Sequence, residues 1–286
     1  MTLLAFLLVL AAAFAHATWN FLSKKACGGT AFIWIFGSIS SLLYFPAALW
    51  VLTTHNLILG LHELMFMLGS AVLHCLYFIL LDKGYRIGDL SVIYPLARGT
   101  GPLISTLIAI VFLGERPSQI ALAGALMIGL GIVVITGNPL AMKKRGDCKP
   151  IVFALLCGTA IAGYTITDKI AVSMFLIPPL LLDWAGNFGR VLLLTPYALK
   201  NKDKIREQWR GNRKNALGVA ILSPLAYILV LTAMTFTPVS YIAPAREISI
   251  LVGSVMGAKL LAESNAKVRL AGAGAMLCGI VCLVLG

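Results

Sequence analysis

The stretch from Pro95 to Val133 recurs as Pro244 to Val281, so the last third of the chain repeats its middle. With one residue removed after the proline, Ala97 and Arg98 fall on Ala245 and Arg246, Glu115 on Glu263, Leu122-Ala123-Gly124 on Leu270-Ala271-Gly272, and Gly131 on Gly279. A weaker echo lays Trp19 to Ala26 over Tyr164 to Ala171, matching at Lys24/Lys169 and Ala26/Ala171. An arginine inside an apolar stretch therefore occurs twice, at equivalent positions. Duplication within hydrophobic segments confines the chain to two like helical units packed about a shared interface.

The segments are apolar enough to live in lipid. Hydrophobic residues make up 59% of the chain and charged residues 12%, against about a quarter charged in soluble proteins. Apolar runs of roughly 17 to 25 residues read as spanning helices. Ten such runs occur, near 2–22, 31–53, 63–81, 90–113, 119–137, 151–171, 178–199, 215–236, 239–260 and 268–286. Five fall in residues 1–137 and five in 151–286, with a hydrophilic linker at 138–150. The net charge of +12 would suggest nucleic acid in a soluble protein. Here the basic residues collect in the odd-numbered loops, including seven between Lys200 and Lys214, while the even-numbered loops offer only Arg116 and Lys169. The charge reports orientation, and the positive-inside rule places both termini outward.

Ionisable groups within spans cost several kcal/mol unless paired or hydrated, so each is a site candidate. Arg98 and Arg246 lie near mid-depth of the fourth and ninth runs, each just after a proline, Pro95 or Pro244. Such a proline frees a carbonyl and kinks a helix. Asp183, Asn187 and Arg190, spaced by four and three, project from one face of the seventh run and point into the bundle. Direct contact between Asp183 and Arg190, two turns apart, needs Asn187 or water between them. Glu247 points about 100° away from its neighbour Arg246 and is free to partner another helix; a buried carboxylate is also a natural proton carrier. Asp183 and Glu247 read as the deep carboxylates. His16, Trp19 and Asn20 share a face of the first run. Tyr94, Tyr164, Tyr227 and Tyr241 are weaker signals, because interfacial belts claim many tyrosines.

Other chemistry finds no support. The six cysteines show no metal-ligand spacing and read as small apolar helix residues. Gly99-Thr100-Gly101 lacks the lysine of a phosphate loop, and no nucleophile-base pair or metal cluster is legible, so no cofactor and no enzymatic reaction are expected. Gly124, Gly131, Gly272 and Gly279 read as close-packing devices. Ala15-His16-Ala17 looks like a cleavage site, but no Lys or Arg precedes the apolar run, and cleavage would delete one helix of a duplicated unit.

The residues His16-Ala17-Thr18-Trp19-Asn20 with Lys24, the proline of the fourth run followed by Leu113-Gly114-Glu115, and their second-half partners Pro244, Glu263 and Gly272 resemble the EamA family of the drug/metabolite transporter superfamily. The resemblance covers essentially the whole chain. It implies an all-α membrane protein of ten transmembrane helices in two inverted five-helix repeats around a central cavity. It also implies that Glu115 and Glu263 end the fourth and ninth helices as loop or capping groups. The reading that follows is a secondary transporter in the inner membrane, exporting an amino acid or related carboxylate by alternating access, as a monomer or homodimer with no nucleic-acid partner. A proton-coupled cation or drug exporter and a flippase are the alternatives. Many family members have cytoplasmic termini, opposite to the orientation the charges indicate here.

Overall fold

The computed structural model describes residues 1–26, 28–54, 59–87, 90–136, 149–252 and 266–286; within these, side chains at 24, 82, 85–87, 90–95, 135, 136, 150 and 266–270 are not described. Tyr94, Glu263 and residues 138–148 of the expected linker thus lie outside the described side chains, while Lys149 and Pro150, expected in the linker, open α6. The described elements are all helical: α1 Leu3–Ala26, α2 Gly29–Thr54, α3 Leu61–Ile87, α4 Leu90–Phe112, α5 Gln119–Thr136, α6 Lys149–Ser173, α7 Pro179–Lys200, α8 Lys202–Phe236, α9 Val239–Ala245 and α10 Ala266–Leu285.

Burial is inverted relative to a water-soluble domain. Large apolar side chains such as Leu42, Trp50, Leu107 and Val111 stand exposed, while Arg98, Asp168, Asp183, Arg190, Arg246 and Glu247 are buried. That distribution is stable only with hydrocarbon outside. Five helices are long and apolar enough to cross a membrane, α1, α2, α3, α6 and α8, and shorter apolar helices occupy 96–112, 119–134 and 271–285. The segment α7 falls below that measure because Asp183, Asn187 and Arg190 interrupt its apolar run.

Two elements depart from the sequence expectation. The basic stretch from Lys202 onward is helix rather than loop, continuous with α8 apart from a kink at Asn212 (φ −128°, ψ 23°). Its Ile205 and Trp209, four apart, pack on the apolar cluster around Trp19 and Phe32, so one turn-spaced apolar pair holds an otherwise charged segment in place. The ninth span is broken. Helix α9 ends at Ala245, Arg246 and Glu247 form a turn, and helix resumes at Ile248. Pro244 cannot donate to the preceding turn, and Glu247, Ser249 and Ile250 bond three residues back, to Pro244, Arg246 and Glu247. By contrast, α4 runs through Pro95 without interruption.

The packing pattern exchanges the two halves. Helix α1 packs on α8 as α6 packs on α3, α2 on α8 as α7 on α3, and α2·α7, α4·α9 and α5·α10 pair equivalent helices. At the last of these, a Cβ on Gly124 would meet the Gly279 carbonyl at 2.6 Å, and one on Gly131 the Gly272 carbonyl at 2.7 Å. Gly124 is the repeat counterpart of Gly272, and Gly131 of Gly279. Equivalent glycines therefore cross over, which requires α5 and α10 to run antiparallel with backbones in contact.

The α8–α9 junction is closed by opposite charges. After Gly114, whose φ of +68° suits glycine, Glu115 accepts hydrogen bonds from the backbone N–H groups of Val239 (2.8 Å) and Ser240 (2.9 Å) at the start of α9. Lys169 donates to the carbonyls of Met234 (2.7 Å) and Thr237 (3.0 Å) at the end of α8. Carboxylate at a helix start and ammonium at a helix end each match the helix dipole and satisfy orphan backbone groups. Glu115 is thus a capping group, in line with the resemblance. Glu115→Ala is expected to cost about 1–2 kcal/mol, read as a lowered unfolding midpoint of the purified protein in detergent.

Candidate functional site

A cavity of about 60 Å³ lies between the repeats, lined from α1 by His16 and Trp19, from α3 by Ser70, His74, Tyr77 and Phe78, from α4 by Arg98, from α6 by Tyr164, from α7 by Asp183, Asn187 and Arg190, from α8 by Tyr227, and by Arg246. That volume admits only a few water molecules, so this conformation is a narrow one.

One end of the cavity is built from the repeat-equivalent arginines. Arg98 reaches Glu247 (Nη1 to Oε1, 3.5 Å), and Arg246 reaches the same oxygen through Nε at 3.8 Å. Arg98 Nη2 also lies 2.5 Å from His16 Nε2; a guanidinium only donates, so the imidazole nitrogen accepts. Arg246 Nη2 donates to the Tyr164 hydroxyl at 3.5 Å. Arg246 and Glu247 lie in the break after α9. From the turn at 246 and 247, Glu247 reaches Arg98 on α4 while Arg246 reaches Tyr164 on α6. Trp19 meets His16 edge-on at 4.9 Å, and its buried Nε1 makes no hydrogen bond among the described residues.

The α7 face forms the relay its spacing anticipates. Asn187 donates to Asp183 Oδ2 at 2.9 Å and accepts from Arg190 Nη2. The Arg190 guanidinium lies over Phe78 (4.7 Å to the ring centre) and Phe36 (5.3 Å). This arrangement couples a buried cation to a carboxylate two turns away and shields it with ring faces.

Two sequence candidates fall elsewhere. Asn20 turns back on its own helix, donating to the His16 carbonyl at 2.7 Å, the habit of a short polar side chain in a helix interior. Glu247 is fully buried behind the arginines and does not line the cavity. Tyr94 lies outside the described side chains. Conversely, the sequence reading missed Asp168 as a third deep carboxylate. It is fully buried on α6, accepts from the Tyr227 hydroxyl, and stands 3.9 Å from His74 Nε2. His74 stacks on Tyr164 at 4.0 Å and meets Tyr227 edge-on at 5.2 Å. Tyr164 and Tyr227, read as weak belt signals, converge here.

Two packed helical repeats with exposed apolar flanks, enclosing a cavity rich in arginine and aromatic side chains, define a multi-pass membrane protein of the permease type. The EamA-like transporter family model matches residues 3–137 and 149–285, and the chain belongs to that family. No curated protein matches the sequence significantly. A solved crystal structure of a protein superposes with a TM-score of 0.76 at 12% sequence identity, covering 98% of this chain and 98% of the other; the likeness shows a shared fold.

Proposed function

We propose that the protein is a secondary transporter that exports a small carboxylate-bearing metabolite, in the first instance an amino acid, across the inner membrane. Ten spans in two inverted five-helix repeats rock about the central cavity in alternating access. The observation that carries this reading is the convergence of Arg98 and Arg246, one from each repeat, at the cavity wall, on a single carboxylate buried behind them. Among the described side chains, Glu247 supplies one negative charge to two guanidiniums, which leaves that end electropositive and suited to an anionic group. The unused Trp19 Nε1 adds a donor beside it. Asp183, which also lines the cavity, gives it both signs, as a zwitterion requires. The cavity is too narrow for a metabolite in this conformation, so the substrate enters only as the repeats move.

The test is flux of a mixed pool of labelled amino acids and carboxylates across vesicles containing the purified protein. Selective movement of carboxylate-bearing members is the expected result, and movement confined to cations without a carboxylate would instead favour the drug-exporter reading. The loop charges place both termini outward, so a reporter active only in the cytoplasm is expected to be silent when fused after Gly286; a bright, functional fusion would reverse the orientation.

A further inference from the structure

Behind the aromatic wall of the cavity lies a carboxylate that the proposed substrate contacts leave unused. Asp168 is buried and does not line the cavity, but its two partners, His74 from α3 and Tyr227 from α8, do. Oδ2 accepts from the Tyr227 hydroxyl and faces His74 Nε2 at 3.9 Å. Oδ1 is equally buried and accepts no hydrogen bond among the described residues.

The tautomer of His74 follows from its other nitrogen. Nδ1 lies 2.9 Å from the Ser70 carbonyl, and a carbonyl only accepts, so Nδ1 carries the hydrogen and the neutral ring presents a bare lone pair at Nε2. Two acceptors, Nε2 and the Asp168 carboxylate, then confront each other in a membrane-embedded core. One added proton, on either group, converts that repulsion into an ion pair or a neutral acid-base contact. A buried carboxylate with an orphaned oxygen is costly as an anion.

The surroundings distinguish Asp168 from the other deep carboxylates. Glu247, whose two oxygens likewise accept no hydrogen bond among the described residues, has two guanidiniums within 3.8 Å to balance its charge. Asp183 is bonded to Asn187 and through it to Arg190, whereas Asp168 has no cation in contact among the described residues. Helices α3, α4, α7, α8 and α9 pack against α6. Of their charged groups, Arg246 and Asp183 act on Asp168 from a distance, while Arg98 is engaged with Glu247 and His16; His74, Ser70 and Tyr227 are the groups that face it. A contiguous path also joins this cluster to the arginines, since His74 stacks on Tyr164, whose hydroxyl accepts from Arg246.

We propose that the Asp168–His74–Tyr227 cluster is the proton-exchange site of this transporter, loaded and emptied through the cavity as α3, α6 and α8 shift against one another. The coupling half of this proposal rests on the transport reading above; proton binding itself does not. In vesicles containing the full chain, infrared difference spectra between pH steps should show a protonated-carboxyl band that is lost in Asp168→Asn and retained in Asp183→Asn. Tyr227→Phe, which preserves volume but removes the donor to Oδ2, should move the midpoint of that band. A full-amplitude band in Asp168→Asn overturns the site. If that variant fails to fold, an unmoved midpoint in Tyr227→Phe overturns it instead. With the labelled pool, Asp168→Asn should lose accumulation driven by a pH gradient while retaining exchange without one. Accumulation by the parental protein that ignores the gradient overturns the coupling. If no compound moves at all, the substrate reading fails, and the infrared result still decides the proton site.

Discussion

Arg98→Gln and Arg246→Gln each nearly abolish transport while the protein stays folded. The expectation of intact folding comes from the shared geometry. Removing Arg98 leaves Glu247 paired with Arg246 at 3.8 Å, and removing Arg246 leaves it paired with Arg98 at 3.5 Å. Neither single substitution strands the carboxylate. The substrate, in contrast, loses one of the charge-assisted contacts that hold its anionic group. Each such contact is worth about 1.5–3 kcal/mol, or roughly ten- to a hundredfold in affinity. Lysine at either position keeps the charge but loses the planar fork, so Arg-to-Lys weakens transport without abolishing it. Rates measured in vesicles, beside unfolding midpoints in detergent, check both halves. If both glutamine variants fold and transport at the parental rate, the arginines are structural and the case for an anionic group on the substrate goes with them.

The arginine pair was legible because duplication marks it twice, and the α7 face because three polar residues at helical spacing leave one geometric solution. Glu115 was legible as a cap only through the family resemblance, since nothing local to it announces that its partner is the start of α9, 124 residues away. What the sequence concealed has a common cause. Asp168 adjoins Lys169 near the end of an apolar run, a pairing that reads as a helix leaving the membrane. In the fold, α6 continues to Ser173, Lys169 is drawn off to the end of α8, and Asp168 faces inward alone. On α3 the spacing Ser70, His74, Tyr77 does mark one polar face, but a serine and a tyrosine are too ordinary in a spanning helix to single it out. The meaning of His74 appears only when α6 and α8 bring Tyr164, Asp168 and Tyr227 to it. Asn20 shows the reverse error, since shared helical spacing with His16 does not stop a short amide from bonding its own backbone.

The second large effect concerns stability first and transport second. Asp183→Ala is expected to destabilise the protein by about 3–5 kcal/mol, because Arg190 is left buried with its Nη2 on Asn187 and its guanidinium between Phe36 and Phe78. Asn187 in turn loses its side-chain acceptor at 2.9 Å and keeps only the backbone carbonyl of residue 183, so no negative charge is left to balance the guanidinium. Combining Asp183→Ala with Arg190→Met removes both charges and fills the volume with an apolar chain, which restores most of the lost stability, as exchange of buried ion pairs for apolar groups commonly does. The double variant separates the two roles this face can have. If Asp183, Asn187 and Arg190 serve only to fix α7 against α2 and α3, recovery of the unfolding midpoint brings recovery of flux. The lining of the cavity by all three side chains leads us to expect the other outcome, in which stability returns and transport does not. A double variant as stable and as active as the parent would confine this face to packing.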